Sequence, residues 1–257
     1  MFTEIDYLYG KLKSVRPLSA ESVRRLSEDF MIDYTYNSNA IEGSTLTLEE
    51  TALVLKEDVT VGGKPLKHHL EAIGHRDAYY YIEDLVKSKA PISERTIKDI
   101  HSLVLMDRQT DKGVYRSVPV RVGAFHPCQP YEVPIKMERL MLEYNGEMQK
   151  LHVIERVAAF HLMFETIHPF IDGNGRVGRL LLNFELMKEG YPPVNVKFTD
   201  RQKYYDCFNH YRENNNDTSK MTELIAEYTT YELRRYIEIA EQSDSLRNGN
   251  PKDFCDE

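Results

Sequence analysis

Residues 168–179, HPFIDGNGRVGR, place a histidine, an acid, a glycine-flanked asparagine and two arginines within one loop and the helical turn that follows it. Aspartate is a hard oxygen ligand suited to Mg²⁺, and the backbone N–H groups of a Gly-Asn-Gly segment can turn inward around an anion. Arginine binds phosphate oxygens in bidentate fashion, and histidine can take a proton near neutral pH. Together these residue types indicate a site for a metal-bound polyphosphate.

The two arginines support this interpretation. Arg176 and Arg179 are three residues apart at the start of a predicted helix, so they share one face. A cation at a helix N-terminus opposes the helix dipole, whereas a bound anion there uses the free N–H groups and reverses the sign of the interaction. The placement favours a bound phosphate chain over a purely stabilising role.

Each of these residues also has a structural interpretation. His168 could be a helix-terminal histidine bonded to the backbone, and Asp172 a turn residue, since Asp-Gly is a common turn pair. A metal site is a further alternative, because His161, Glu165 and His168 follow the i, i+4, i+7 spacing of one helix face. Their order is not His-Glu-x-x-His, and Pro169 turns His168 out of the helical register. We therefore expect His161 to be a partly buried histidine with its hydrogen bonds satisfied.

Length and composition set broad limits. A chain of 257 residues with 41% hydrophobic side chains suits one globular domain, or one domain with a small appendage. The formal net charge of −8 speaks against a nucleic-acid or anionic-membrane surface. Three widely spaced cysteines predict no disulfide framework, so we expect a cytoplasmic protein. The first residues lack the features of a signal peptide, and no apolar run is long enough to predict a transmembrane helix.

Helical periodicity dominates the rest of the chain. We predict helices at 2–14, from a cap at Ser19 to Gly43, from the Thr47–Glu50 capping box to Lys56, and at 66–87, 94–106, 135–150, 152–167, 175–188, 199–213 and 219–241. The predicted units are two N-terminal helices (1–43), a main domain (44–241) and a flexible tail (242–257).

One segment has a different character. Between Gly113 and Pro134, Val118, Val120 and Val122 alternate with other residues, and several prolines interrupt the pattern. We predict one short hairpin here with a proline-marked edge. The expected fold class is all-α with this single small hairpin.

The motif resembles the pattern of the Fic family, H-x-F-x-(D/E)-G-N-G-R-x-x-R. The matching positions are His168, Phe170, Asp172, Gly173, Asn174, Gly175, Arg176 and Arg179. The resemblance covers residues from roughly 30 to 215. It implies a Fic-type helical bundle with a hairpin flap over the active site, and an enzyme that transfers AMP from ATP to a Ser, Thr or Tyr hydroxyl of a protein.

The resemblance also implies residue roles. His168 would take the hydroxyl proton, and Asp172 would hold Mg²⁺ between the α- and β-phosphates. Phe170 would be buried packing that fixes the loop. The residues implied to bind the phosphates are Gly173, Asn174 and Gly175 for the α- and β-phosphates, Arg176 for the β-phosphate and Arg179 for the γ-phosphate.

A second cluster precedes the main domain. Ser38, Glu42 and Gly43 match the pattern (S/T)-x-x-x-E-(G/N), which resembles an inhibitory helix of many Fic proteins. The resemblance implies that Glu42 pairs with Arg179 and fills the γ-phosphate space. Without the resemblance, the simplest interpretation of Glu42 is a solvent-exposed carboxylate before a glycine helix cap.

The segment from Gly113 to Pro134 resembles the Fic flap, which we call the flap below. An exposed strand edge there would hold a target by β-augmentation, and the residues nearest to the target would be Val122, Gly123, Ala124, Phe125, His126 and Pro127. Val122 is also a candidate contact for adenine. Tyr204 and Tyr205 resemble a Tyr-Tyr pair that flanks adenine in relatives, although Arg212 replaces the small or amide residue that follows in several of them.

Several alternatives stay open from the sequence. The same site could run backwards as a hydrolase that removes AMP, or it could transfer a different moiety, such as UMP or phosphate. A nucleotide-binding regulator with little turnover is the alternative from another class, although such a protein has no use for a base at His168. The expected partners are ATP, Mg²⁺ and a protein substrate with a hydroxyl acceptor, and the chain itself is one candidate substrate. We expect no nucleic-acid partner and no membrane partner. A homodimer is left open.

Overall fold

The structure, a computed structural model, describes residues 2–15 and 20–248. Within these residues it contains ten α-helices. They are α1 (Phe2–Ser14), α2 (Ala20–Ile41), α3 (Leu48–Glu57), α4 (Leu66–Lys87), α5 (Glu94–Val104), α6 (Val133–Asn145), α7 (Val153–Ile167), α8 (Asn174–Lys188), α9 (Arg201–Glu213) and α10 (Ser219–Asn248). Short 3₁₀ turns lie at Pro130–Glu132, Glu147–Lys150 and Phe198–Asp200. None of the described helices is long and apolar enough to cross a membrane. The all-α expectation is confirmed.

Helices α7 and α8 form the centre of the molecule. They pack on each other and are buried on nearly all sides, as expected for helices inside a core. On one side they join a cluster with α2 to α6 that includes Tyr34, Tyr79, Ile100, Phe164 and Phe184. On the other side they join a cluster with α1, α9 and α10 that includes Ile5, Leu162, Leu186, Phe208 and Ile237. The loop between them, residues 168–173, is the motif loop.

The two N-terminal helices belong to this same core. Helix α1 packs against α10, and Tyr9 stacks on Tyr191 with ring centroids 4.3 Å apart. Helix α2 packs against α3 and α4 and also contacts α8. The contact with α8 brings the end of α2 to the first turn of α8, the helix that carries Arg176 and Arg179.

Local sequence signals set several helix ends. Thr47 and Glu50 form the predicted capping box, with Glu50 N–H donating to Thr47 Oγ1 at 3.2 Å and Thr47 N–H to Glu50 Oε2 at 2.8 Å. Gly43 has φ 95° just beyond the end of α2, as a glycine C-cap predicts. The predicted cap Ser19 lies outside the described residues. Helix α10 continues to Asn248 instead of ending near 241, because no glycine or proline interrupts the sequence before Gly249.

The predicted hairpin is much smaller than expected. The only bridge in the described residues of the flap joins Val122 and Phe125, which exchange hydrogen bonds of 3.0 and 2.9 Å around a tight turn. The alternating valines before it do not form a strand. Pro119 lacks the N–H that a ladder requires, and the side chain of Arg116 instead holds the start of the flap against the motif loop.

A close approach between α4 and α5 gives a stability prediction. A Cβ added at Gly74 would lie 2.4 Å from the backbone oxygen of Leu103, so Gly74→Ala forces the two helices apart. Overpacking of this kind costs about 1–3 kcal/mol, and we expect a loss of free energy of unfolding in that range, measured by urea denaturation. Gly10→Ala is the matched control, because Gly10 lies inside α1 with nothing within 4 Å. Alanine favours a helix, so this control is expected to be neutral or stabilising. Equal stability of the two variants would contradict the prediction.

Candidate active site

His168 lies at the C-terminal end of α7. Its N–H still donates to Phe164 O at 2.9 Å, but its backbone has φ 51° and ψ 62°, the left-handed region. Non-glycine residues adopt this region rarely, and Pro169 disfavours a helical conformation for the residue before it. The turn directs the chain into the motif loop and leaves the His168 side chain 16% exposed.

The imidazole of His168 is poised as a neutral base. Burial lowers its pKa to about 4, although the main-chain carbonyl of Glu165 and the charges of Glu42 and Asp172 act in the opposite direction. At neutral pH the ring is therefore uncharged and able to accept a proton. Its Nδ1 is buried and lies 3.7 Å from Glu165 Oε2, so Nε2 is the nitrogen available to a substrate.

The motif loop is held by its own phenylalanine and asparagine. Phe170 is fully buried, as predicted, and both polar atoms of the Asn174 side chain bond its main chain. Asn174 Oδ1 accepts from Phe170 N–H and Nδ2 donates to Phe170 O, each at 2.9 Å. The Asn174 amide is thus bonded to the loop in this structure, and a phosphate contact at Asn174 would use main-chain N–H groups.

A buried histidine links the loop to the flap. His101 of α5 stacks on Phe170, with ring centroids 3.7 Å apart and an interplanar angle of 5°. Its Nδ1 accepts from Gly113 N–H at 2.8 Å, which leaves Nε2–H to donate to the main-chain oxygen of Asp172 at 3.0 Å. His101 therefore connects the first residue of the flap to the motif loop.

The Asp172 carboxylate lies among cations. Its Oδ1 accepts from Gly173 N–H at 2.6 Å and lies 3.4 Å from Arg176, while Oδ2 is 3.6 Å from Lys67 and 3.3 Å from Arg108. Burial alone would raise the pKa of this carboxyl, but the neighbouring cations and the Gly173 N–H hold the pKa below its ordinary value. The carboxyl group is therefore ionised at neutral pH.

An ionised carboxylate in this position fits Mg²⁺, which proteins bind through one or two carboxylates together with substrate phosphates. Across residues 2–15 and 20–248 there is no group of three or more His, Cys, Asp or Glu side chains that could hold a metal by themselves. A metal at Asp172 would thus share its coordination with a substrate. The alternative metal site at His161, Glu165 and His168 is not formed.

Both motif arginines are buried and paired. Arg176 is 1% exposed, with Nη1 3.0 Å from Glu71 Oε1. Arg179 is 2% exposed and donates from Nε to Ser38 Oγ at 3.0 Å and from Nη2 to Ser38 O at 2.8 Å. Both arginine side chains are therefore buried near the N-terminal end of their own helix, α8, and do not form a solvated surface.

Glu42, which follows α2, lies between Arg179 and Gly175 at the start of α8. Its Oε1 accepts from Arg179 Nη2 at 2.8 Å, and its side chain stays 35% exposed. Burial alone would lower the pKa of Arg179, but Glu42 keeps that pKa above the ordinary value. A Cβ added at Gly175 would lie 2.3 Å from Glu42 Oε1. The carboxylate thus rests against the glycine at the start of α8.

Arg116 fixes the base of the flap. Its main-chain N–H donates to Pro169 O at 2.9 Å, and its buried guanidinium donates from Nε to His168 O at 2.8 Å and from Nη2 to Cys128 O at 2.6 Å. A cation at the C-terminal end of α7 also complements the helix dipole. One side chain therefore joins both ends of the flap to the residue that carries the imidazole.

Comparisons with known proteins agree with this geometry. The sequence profile of the Fic/DOC family matches residues 91–186. A Fic domain containing signaling protein from Bacteroides thetaiotaomicron superposes with a TM-score of 0.86 and 31% identity, over 93% of this chain and 97% of that one. The chain belongs to the Fic/DOC family. Fic-1 from C. elegans superposes with a TM-score of 0.82 and 28% identity, over 93% of this chain and 71% of that one.

Curated members of the Fic family are also similar in sequence. A protein adenylyltransferase Fic of Nematostella vectensis is 34% identical over 242 residues, which are 92% of this chain and 56% of that protein. One from Culex quinquefasciatus is 34% identical over 239 residues, which are 92% of this chain and 47% of that protein. The chain thus spans about half the length of the curated relatives it matches.

The tyrosine pair of this Fic chain is divided between two environments. Tyr204 is buried, shares a hydrogen bond of 2.8 Å with His161 Nε2, and lies under Arg179, whose guanidinium carbon is 5.8 Å from the ring centroid. Tyr205 is partly exposed and donates to Ile41 O at 3.3 Å. His161 is thus fully buried instead of partly buried, and Tyr205 is the better placed of the two tyrosines to meet a ligand.

The flap tip rests on α9 in this Fic domain. The guanidinium carbon of Arg212 lies 4.6 Å from the ring centroid of Phe125, so the residue that departs from several relatives contacts the flap directly. Val122 and His126 remain exposed nearby, while Pro127 is buried. Of the predicted docking residues, those around the turn are therefore the accessible ones.

Sequence reasoning missed most of the supporting residues. Lys67 and Glu71 come from α4, His101 from α5, and Arg108 from the loop after α5. All of them reach the motif loop or the first turn of α8 from far away in the chain. The i, i+4 spacing of Lys67 and Glu71 was a local signal, but nothing in it indicated which helix they would face.

Proposed function

We propose that this Fic chain transfers AMP from ATP to the hydroxyl of a serine, threonine or tyrosine in a protein, with the chain itself among the candidate targets. The observation that carries the proposal is a neutral, partly accessible imidazole at His168 beside a helix N-terminus flanked by Arg176 and Arg179. Relatives named protein adenylyltransferase support it.

The start of α8 is suited to the phosphates. The first N–H groups of a helix have no partner within the helix and bind anions readily. Glu42 Oε1 lies against Gly175 at this position, so a carboxylate already occupies the space in which we place a phosphate. We place the α- and β-phosphates of ATP on this backbone, and the γ-phosphate would take the space beside Arg179 once Glu42 has left.

The reaction then follows from the positions of the groups. The target oxygen attacks the α-phosphorus, a new oxygen–phosphorus bond forms, and the bond to the β-phosphate oxygen breaks, releasing pyrophosphate. His168 Nε2 takes the hydroxyl proton as the oxygen attacks. A Mg²⁺ ion bound by Asp172 would neutralise phosphate charge, and Arg176 and Arg179 would compensate the charge on the leaving group.

We also propose that the end of α2 inhibits the enzyme. Arg179 is the residue to which the Fic pattern assigns the γ-phosphate, and here Ser38 and Glu42 occupy its guanidinium. A buried arginine that loses its carboxylate is left with an uncompensated charge, which an ATP phosphate would then satisfy. Release of Glu42 is thus coupled to productive ATP binding.

One observation favours a second reaction at the same site. Glu42 remains 35% exposed, so its carboxylate could position water against an AMP-modified target. A purified AMP-modified protein incubated with the wild-type chain would then release AMP. Retention of the modification would reject this hydrolase activity and leave the transfer reaction unaffected.

Intact-mass spectrometry tests the transfer reaction and its donor. Wild type and Glu42→Gly are incubated with Mg²⁺ and, separately, ATP, GTP, CTP and UTP, with and without candidate protein targets. We expect a mass gain of one adenylyl group with ATP in the variant, and peptide mapping would then locate the acceptor hydroxyl. Absence of any nucleotide adduct, in a protein that binds ATP, would overturn the proposal.

A further inference from the structure

A second carboxyl group lies behind His168. Glu165 is one turn earlier on α7, its side chain is 11% exposed, and its Oε2 lies 3.7 Å from His168 Nδ1. In the part of the chain that the structure describes, His168 Nδ1 and Glu165 Oε1 are buried and neither makes a hydrogen bond of good geometry. The main-chain carbonyl of Glu165 is the competing acceptor for Nδ1–H. Buried polar groups are rarely left unpaired, and a small side-chain rotation would join these two groups.

The neighbouring helix leaves room for this carboxyl. A Cβ added at Gly178 of α8 would lie 2.3 Å from Glu165 Oε1 and 2.9 Å from His161 Cε1. A larger residue at this point of α8 would displace the Glu165 carboxyl from its present position. Gly178 therefore leaves the space in which the Glu165 carboxyl is buried behind the imidazole.

We propose that Glu165 is a positioning residue that sets the tautomer of His168. As a carboxylate, Glu165 accepts a hydrogen bond from Nδ1–H and leaves the Nε2 lone pair free for the proton of the target hydroxyl. As a neutral acid, it donates to Nδ1, so the ring proton moves to Nε2 and the base is blocked. A buried acid that holds an imidazole in its working tautomer is known catalytic chemistry. The inference deepens the proposed function, since it assumes that His168 is the base.

The charges around Glu165 place its titration in an accessible range. Burial raises its pKa to about 8, the charge of Glu42 acts in the same direction, and the charge of Arg179 opposes both. The titratable and charged groups that face this cluster are Glu42 just after α2, His161 from α7, His168 and Asp172 from the motif loop, Arg179 from α8, Tyr204 from α9 and Arg116 from the flap. The active tautomer is therefore favoured as pH rises through the pKa of Glu165, and at neutral pH only the fraction of molecules with an ionised Glu165 has Nε2 free to accept a proton.

Nitrogen NMR of the wild-type protein tests the tautomer directly. Long-range ¹H–¹⁵N spectra of ¹⁵N-histidine-labelled protein report which ring nitrogen of His168 carries the proton between pH 6 and 9. We expect Nε2–H at the acidic end and Nδ1–H at the alkaline end, with the change tracking the ¹³C titration of the Glu165 carboxyl. A constant tautomer would overturn the proposal, because the main-chain carbonyl of Glu165 would then be holding Nδ1–H at every pH.

Kinetics in a Glu42→Gly background provide the second readout. AMP transfer is expected to rise with pH, and Glu165→Gln is expected to lose this rise and to lower kcat at least about tenfold with an unchanged KM for ATP. Glu165→Asp keeps an ionisable group and should keep a pH-dependent rise at a reduced kcat. Glu155→Gln, on the first turn of the same helix, is the control and should behave like its parent. A pH profile unaltered by Glu165→Gln would overturn the proposal.

The two readouts separate this inference from the proposed function. A tautomer change without any AMP transfer would support the role of Glu165 and reject the adenylyltransferase activity. AMP transfer with a fixed tautomer would support the adenylyltransferase activity and reject the role of Glu165.

Discussion

Replacing Glu42 by glycine is expected to raise AMP transfer at least about tenfold over the wild type. The substitution removes the carboxylate that contacts Arg179 Nη2 at 2.8 Å and clears the start of α8 at Gly175. When only a fraction of the molecules is competent, the apparent affinity for ATP falls by that fraction. A site closed nine times in ten would therefore gain about tenfold on release. Transfer of label from α-³²P-ATP to protein measures the effect.

Two further variants define the cause. Glu42→Gln keeps the size of the side chain but not its charge, so a smaller increase is expected. Glu57→Gly removes an exposed carboxylate at the end of α3 and should leave transfer at the wild-type rate. Equal labelling by the wild type and Glu42→Gly would reject the inhibitory role of α2, while leaving the transfer reaction standing.

Replacing His168 by alanine in the Glu42→Gly background is expected to lower transfer by about 10²–10⁴-fold, the usual contribution of a general base. Burial keeps the imidazole neutral, with a pKa of about 4, so at neutral pH its contribution is to accept a proton. It does not supply positive charge to the phosphates. ATP binding, followed by the ATP-dependent rise in Tm, should therefore be retained.

The control for this loss is His210→Ala. His210 lies on α9 and pairs with Asp217 at 2.9 Å, and its replacement should leave transfer unchanged. Full activity of His168→Ala would show that another group takes the proton. ATP binding without any product, in the parent as well as in the variant, would instead identify a nucleotide-binding regulator.

The helices were largely predictable because their ends carry local signals. The Gly62–Gly63 pair and Pro65 precede α4, and its predicted limits coincide with Leu66–Lys87. The Thr47 box likewise starts α3 where expected. The strand predicted in the flap did not form, and local signals could not have shown this. A strand needs a partner, and the alternation of Val118, Val120 and Val122 carries no information about whether one is present.

The site residues likewise divide into those that a local motif predicted and those that depend on tertiary packing. His168 and Asp172 both lie in the motif loop, four residues apart, so the motif alone predicted that they belong to one site. Their supports were not predictable, because the pairing of Arg176 with Glu71 and the stacking of His101 on Phe170 depend on how α4 and α5 pack against α8. The commitment of the Asn174 amide to Phe170 is local in sequence, but it depends on a loop conformation that no pattern specified.

The contacts of Arg116 have a consequence for target choice. A single guanidinium joins Cys128, at the far end of the flap, to the main chain of His168, so a peptide aligned along the flap edge would lie at a constant offset from the imidazole. Such an arrangement works as a molecular ruler. The distance of a hydroxyl from the docked segment, counted in residues, would then decide which side chain of the target receives the nucleotide.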